Sequence, residues 1–146
     1  MTVEQIFIFD GAMGTMLQQR GLAPGQSPEE LNLTMPDVVE SVHRDYLQAG
    51  SDIVITNTFG GSRLKLQEYH LEKQVEEINR RATEIARTAC LKAGHGQVAA
   101  SLGPTGHFVS PVGNTSFDEM YIIYREQADA IASAQPDYFL LETFSD

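Results

Sequence analysis

The sequence predicts an α/β fold of parallel strand-helix units, and two observations carry that prediction. Four apolar runs, at residues 6–11, 51–61, 98–104 and 138–143, alternate with helix-patterned stretches at a spacing of about forty to fifty residues. This is the rhythm of parallel strands joined by right-handed crossovers. Each run also stops abruptly in small or acidic residues: Asp10-Gly11, Thr56-Asn57-Thr58, Gly103-Pro104 and Glu142-Thr143. In parallel α/β folds ligands sit at the carboxyl ends of strands, because loops held by a rigid sheet present polar groups without disturbing the core.

The first run ends at Asp10, and the turn Gly11-Ala12-Met13-Gly14-Thr15 leads into a short helix over residues 16–20 closed by Gly21. Asp10 therefore sits at a strand-to-helix turn, where its carboxylate either caps backbone N–H groups or grips a cationic ligand group; the two roles are compatible. Gly11 and Gly14 do not make a phosphate loop, since neither Gly-x-Gly-x-x-Gly nor a Lys-Ser/Thr ending is present. Residues 22–35 form a long Pro- and Gly-rich loop, in which Ser27-Pro28-Glu29-Glu30 reads as a capping box starting one helical turn. A loop of this length at the ligand end of a fold commonly covers a site. Pro36 opens a helix with Val39, Val42 and Tyr46 on its apolar stripe and Gly50 at its end, leaving His43 and Arg44 as solvated positions.

The second run, around Ile53, Val54 and Ile55, reads as a strand buried on both faces. A short helix is expected over 62–69 and a long one over 72–93, with Val75, Ile78, Ala82, Ile85 and Ala89 on one stripe and Cys90 beside it as a packing residue. His70 and His95 fall at helix ends, facing solvent. The third run passes into Gly103-Pro104-Thr105-Gly106 and a second long loop, small enough in its side chains for a substrate to approach the backbone. Ser116-Phe117-Asp118-Glu119 is a further capping box, opening a helix whose stripe is Met120, Ile123, Ala128 and Ile131. The fourth run, also expected to be buried on both faces, delivers Glu142.

Composition narrows the function classes. The chain has 146 residues, 42% of them apolar, which is one domain's worth with a core to bury. A net charge of −10 without a basic cluster argues against nucleic acid or an anionic membrane as partner. No stretch approaches the roughly 20 apolar residues of a membrane span, and the first five residues lack a basic leader pattern, so a cytoplasmic location is expected. The single cysteine, Cys90, rules out an internal disulfide and a cysteine-rich metal cage made by one copy of this chain.

Glu142 is the most informative ionisable residue. A carboxylate at the end of a buried strand costs several kcal/mol unless it is paired, so a cationic partner is expected. Arg63 and Lys65 are the nearest internal candidates, and no strand end supplies a base. An amino-acid ammonium group fits the alternative: Asp10 and Glu142 as the acids, with Asn57, Thr58 and glycine N–H groups to receive its carboxylate.

Asp10-Gly11-Ala12-Met13-Gly14-Thr15, Thr56-Asn57-Thr58-Phe59, Gly103-Pro104-Thr105-Gly106 and Glu142-Thr143-Phe144-Ser145-Asp146, in this order and at these strand ends, resemble the homocysteine S-methyltransferase family, and among its members the homocysteine-binding modules of cobalamin-dependent enzymes. The likeness covers essentially the whole chain. It implies a (β/α)₈ TIM-type barrel, of which residues 1–146 would be the first half with four strands, since a full barrel takes about 250 residues. It also implies homocysteine as ligand, with Asp10 and Glu142 on its ammonium group, the turn amides at Gly11, Ala12 and beyond on its carboxylate, and Asn57, Thr58 and Gly103 in the surrounding wall. No catalytic residue and no metal ligand is assigned within the chain.

Members of this family bind zinc through three cysteines from the second half of the barrel, and the metal lowers the thiol pKa of homocysteine. Cys90 cannot replace them. The resemblance therefore implies zinc in the intact domain only, with cobalamin and methyltetrahydrofolate on other modules, or a sulfonium or betaine donor used directly. The leading expectation is the substrate-holding half of a methyltransferase, not competent alone and completed by the second half of the barrel or by a second copy as a homodimer. The alternatives are a non-catalytic amino-acid-binding half-barrel and a structural half that completes a barrel on another chain.

Overall fold

In the computed structural model, which describes residues 6–145, strands β1 (Ile53–Ile55), β2 (Gln97–Leu102) and β3 (Tyr138–Leu141) form one parallel sheet in the order β1-β2-β3. Residues 1–5, read above for a leader, and Asp146 lie outside the described residues. The register pairs Val54 with Val98 and Ile55 with Ala99, then Ala100 with Phe139 and Leu102 with Leu141. Helices α1 (Met13–Gln19), α2 (Leu31–Thr34) and α3 (Pro36–Ala49) precede β1; α4 (Arg63–Gln67) and α5 (Val75–Ala93) lie between β1 and β2; α6 (Phe117–Ala132) lies between β2 and β3. No helix among the described residues is long and apolar enough to cross a membrane.

The core sits between the sheet and its helices. Val54 and Val98 pack with Leu47 of α3 and with Ala86, Ala89 and Cys90 of α5. Ala100 and Leu102 pack on Ile131 of α6, and Leu17, Leu31, Val39, Val42 and Ile85 close a second cluster between α1, α2, α3 and α5. α3 stops where expected, at Gly50, whose φ of 106° is open to glycine and costly for other residues. Ser116 caps α6 by accepting the Glu119 N–H at 3.1 Å, as its capping-box pattern requires.

The expected first strand is the main departure: among the described residues the sheet has three strands, not four. Residues 6–9 do run parallel beside β1, with Ile8 O accepting the Asp52 and Ile53 N–H groups and Ile53 O accepting the Asp10 N–H. Only the Phe9–Ile53 pair forms a bridge. The Ile8 N–H is taken at 2.9 Å by the Asp52 carboxylate rather than by a backbone carbonyl, which interrupts the ladder just where a strand would have continued.

Further expectations fail for packing reasons. β3 is not buried on both faces; Tyr138, Phe139 and Leu141 are exposed, because β3 is an edge strand with β2 as its sheet neighbour. His43 is fully buried rather than solvated: it stands four residues after Val39, on the same flank of α3 that packs against α5. The helical turn expected after Ser27 does form, as a 3₁₀ turn at Pro28–Glu30 with Pro28 in its first turn, but the Ser27 hydroxyl donates to the Glu29 carboxylate instead of capping it. On α6, Gln127 and Ala130 take the buried place expected for Ala128, which is half-buried.

Candidate functional site

A cavity of about 460 Å³ opens at the carboxyl ends of the strands. Five of the sequence-derived residues line it: Asp10, Gly11, Ala12, Asn57 and Glu142. Glu29, Phe59 and Ser101 join them.

Asp10 is held by the β1 edge. Its Oδ2 accepts the Ile55 N–H at 3.0 Å, whereas Oδ1 is buried without a hydrogen-bond partner. Burial raises its pKa to about 7, against the opposing pull of the Ile55 and its own N–H, and the nearby charge of Glu142 raises it further. The turn after Asp10 lies against α3: the Tyr46 hydroxyl donates to Ala12 O at 3.1 Å, and a Cβ on Gly11 would stand 2.9 Å from that hydroxyl oxygen. A side chain at Gly11 would therefore push the Tyr46 ring aside, and no positive φ is involved. Burial and the Asp10 charge together raise the Tyr46 pKa.

Glu142 follows β3, and its Oε1 accepts the hydroxyl of Ser101 on β2. The internal cations considered for it are engaged elsewhere, Arg63 with Glu126 and Lys65 with Glu68. Among the described residues the cavity is lined by three acids, Asp10, Glu29 and Glu142, and by no Lys, Arg or His. Both oxygens of Glu29 are taken by protein donors, so Asp10 and Glu142 are the pair left to favour a cation.

Asn57 lines the cavity, but its amide also joins two loops: Nδ2 donates to Pro28 O at 2.7 Å and to Asn32 Oδ1 at 3.0 Å. Thr58 is not part of the lining. Its hydroxyl is buried, donating to Ser101 O at 2.7 Å and lying 2.6 Å from the Thr56 hydroxyl. Gly103 also stands behind the wall, where a Cβ would come within 2.7 Å of the Phe59 ring and of its backbone oxygen. Sequence reasoning missed Glu29 and Ser101. Ser101 is visible in the sequence as a polar residue in an apolar run, whereas Glu29 is masked there by a helix-start pattern.

Thr143 and Phe144 line a different cavity of about 670 Å³, with Phe108, Phe117, Met120 and Tyr121, and no acid among the described residues. No group of three or more His, Cys, Asp or Glu among the described residues is arranged to hold a metal ion. Cys90 is buried on α5 outside the acidic cavity, and burial pushes its thiol pKa up. The residues present therefore do not fit a thiolate zinc site, which needs several deprotonated sulfurs.

Residues 7–146 match the family model of homocysteine S-methyltransferase. The chain is 33% identical over 153 residues to a methionine synthase of Mycobacterium tuberculosis and 35% identical over 155 residues to one of Mycobacterium leprae, with 98% of the chain covered in each case. It spans 13% of the length of either relative. Among solved structures it is similar to the homocysteine methyltransferase MmuM from Escherichia coli in its metallated form, with a TM-score of 0.84 and 26% identity, covering 99% of this chain and 56% of that one. The oxidized form of MmuM gives 0.79 at 25% identity, covering 94% and 52%. With its parallel strands and an acidic cavity at their carboxyl ends, the chain belongs to the homocysteine S-methyltransferase family.

Proposed function

We propose that the acidic cavity receives homocysteine, and that residues 1–146 are the substrate-holding first half of a (β/α)₈ barrel in a methyltransferase of the methionine-synthase kind. One observation carries this reading: among the described residues Asp10 and Glu142 line a single cavity without any base, and Asp10 keeps a buried oxygen with no partner. An ammonium group placed there satisfies that oxygen and neutralises the pair. Family membership supplies the amino acid that carries it. The carboxylate of the ligand then turns to the amides of residues 11–13, and the wall is completed by Asn57, with Thr58 and Gly103 supporting it from behind.

In the intact protein the homocysteine sulfur attacks an electrophilic methyl group, forming the S–CH₃ bond of methionine as the methyl leaves its donor and the thiol proton is lost. Zinc held by residues outside this chain would lower the pKa of that thiol; no step at the residues described here passes through the metal. This chain's own residues bind and orient the substrate, and we assign thiol activation, the cobalamin and methyltetrahydrofolate sites and the remaining strands to other parts of the protein. Calorimetric titration of the full-length protein with L-homocysteine tests the reading. Glu142→Gln is expected to weaken binding by about 1.5–3 kcal/mol, the scale of a charge-assisted hydrogen bond. Unchanged affinity would sink it.

A further inference from the structure

The third acid of the cavity differs from the other two in what it holds. Glu29 is buried, and both of its oxygens already accept hydrogen bonds from the protein. Oε1 takes the Gly60 N–H at 2.7 Å and Oε2 the Ser27 hydroxyl at 2.7 Å. Asp10, by contrast, keeps an oxygen free. The contact with Gly60 is close enough that a Cβ there would stand 2.8 Å from Glu29 Oε1. Around it the same two segments are tied again, by Asn57 Nδ2 on Pro28 O and Asn32 Oδ1 and by Asn32 Nδ2 on Asn57 O at 2.9 Å. The 27–32 segment is thus fastened to the loop after β1, and the fastening lies on the wall of the cavity.

We propose that Glu29 is a positioning residue whose carboxylate latches the 27–32 segment onto the β1 loop and holds the Asn57 and Phe59 wall in its ligand-receiving shape. For its ligand the proposal rests on the homocysteine reading above; for the latch it rests on this geometry. Without the carboxylate, the buried Gly60 N–H has no acceptor, and the loop must shift or admit water into the cavity. Glutamine keeps an oxygen for Gly60 and offers an N–H to the Ser27 hydroxyl, so it preserves the latch while removing the charge.

The test compares Glu29→Ala and Glu29→Gln in the full-length protein, by hydrogen-exchange mass spectrometry of the peptide carrying residues 57–61 without ligand and by calorimetric titration with L-homocysteine. Glu29→Ala is expected to speed exchange and weaken affinity at least tenfold, and Glu29→Gln to stay within threefold of the parent in both. Unchanged exchange in Glu29→Ala overturns the latch. A Gln variant as weak in binding as the Ala variant overturns the positioning role, since the charge itself would then be gripping the ligand. If the parent protein binds no homocysteine, the homocysteine reading fails, and the exchange arm alone decides the latch. Should Glu29→Ala fail to fold, Glu29→Asp, whose carboxylate is one methylene short of the Gly60 N–H, is read in the same two assays by the same criteria.

Discussion

Asp10 accepts the Ile55 N–H through Oδ2 at 3.0 Å while its Oδ1 stays buried and unpartnered. One carboxylate is thereby anchored to the sheet and left incomplete on the cavity side. Because burial holds its pKa at about 7, a cationic ligand must displace a proton from it at mildly acidic pH. Affinity for homocysteine is expected to rise between about pH 5.5 and 7.5, with proton release on binding that fades above pH 7.5. Calorimetry in buffers of different ionisation enthalpy measures that release, and Asp10→Asn should lower it at pH 6 while leaving the release at pH 8 unchanged.

Two buried groups pull the stability of the fold in opposite directions with pH. Asp10 binds a proton more tightly folded than unfolded, so between about pH 4 and 7 its contribution falls as pH rises. His43 has its pKa lowered to about 4 by burial, and both ring nitrogens lack partners. The unfolded chain takes up that proton first, so the His43 contribution is complete above pH 6.5 and is lost as pH falls toward 4. Each slope is at most about 1.4 kcal/mol per pH unit, and in the parent they offset one another. Urea melts across this window should show stability rising with pH in Asp10→Asn and falling with pH in His43→Leu, relative to the parent. Parallel profiles would contradict the assignment.

Gly61 is enclosed by the amides that brace the β1 loop. A Cβ there would lie 2.3 Å from Asn79 Oδ1 and 2.9 Å from Gln127 Nε2. Neither amide is free to retreat: Asn79 donates to Gly61 O and Val75 O, and Gln127 to Thr58 O. Gly61→Ala is expected to destabilise the fold by about 1–3 kcal/mol, read as a lowered urea midpoint at constant slope.

Both edges of the sheet carry exposed apolar side chains, Ile6, Phe7, Ile8 and Phe9 on one and Phe139 and Leu141 on the other. Unpaired edges with apolar side chains recruit partners. Expressed by itself, the 146-residue chain is expected to self-associate, as a homodimer or larger, and addition of the remaining barrel strands should compete with that association. A monomeric mass by light scattering at micromolar concentration, with no binding of a hydrophobic dye, would contradict this.

By itself the sequence determined the parallel α/β plan, the glycine stops of α3 and α5, and the placing of Asn57 and Glu142 at strand ends; Asp10 it placed at the end of a strand that does not form. These are properties of local pattern: apolar period, capping and chain punctuation act over a few residues. Only the tertiary structure decided which residues share the cavity. Thr58 and Gly103 sit at strand ends as surely as Asn57 does, yet a hydrogen bond to Ser101 O turns the Thr58 hydroxyl inward and the Phe59 ring covers Gly103. Glu29 reads locally as a helix-start residue and becomes a cavity wall because Gly60, 31 positions away, offers it a buried N–H. The first strand was lost in the same way, to the Asp52 side chain competing for the Ile8 N–H across 44 positions. Such choices depend on which donors and acceptors meet when distant segments pack, and no periodicity along the chain records them.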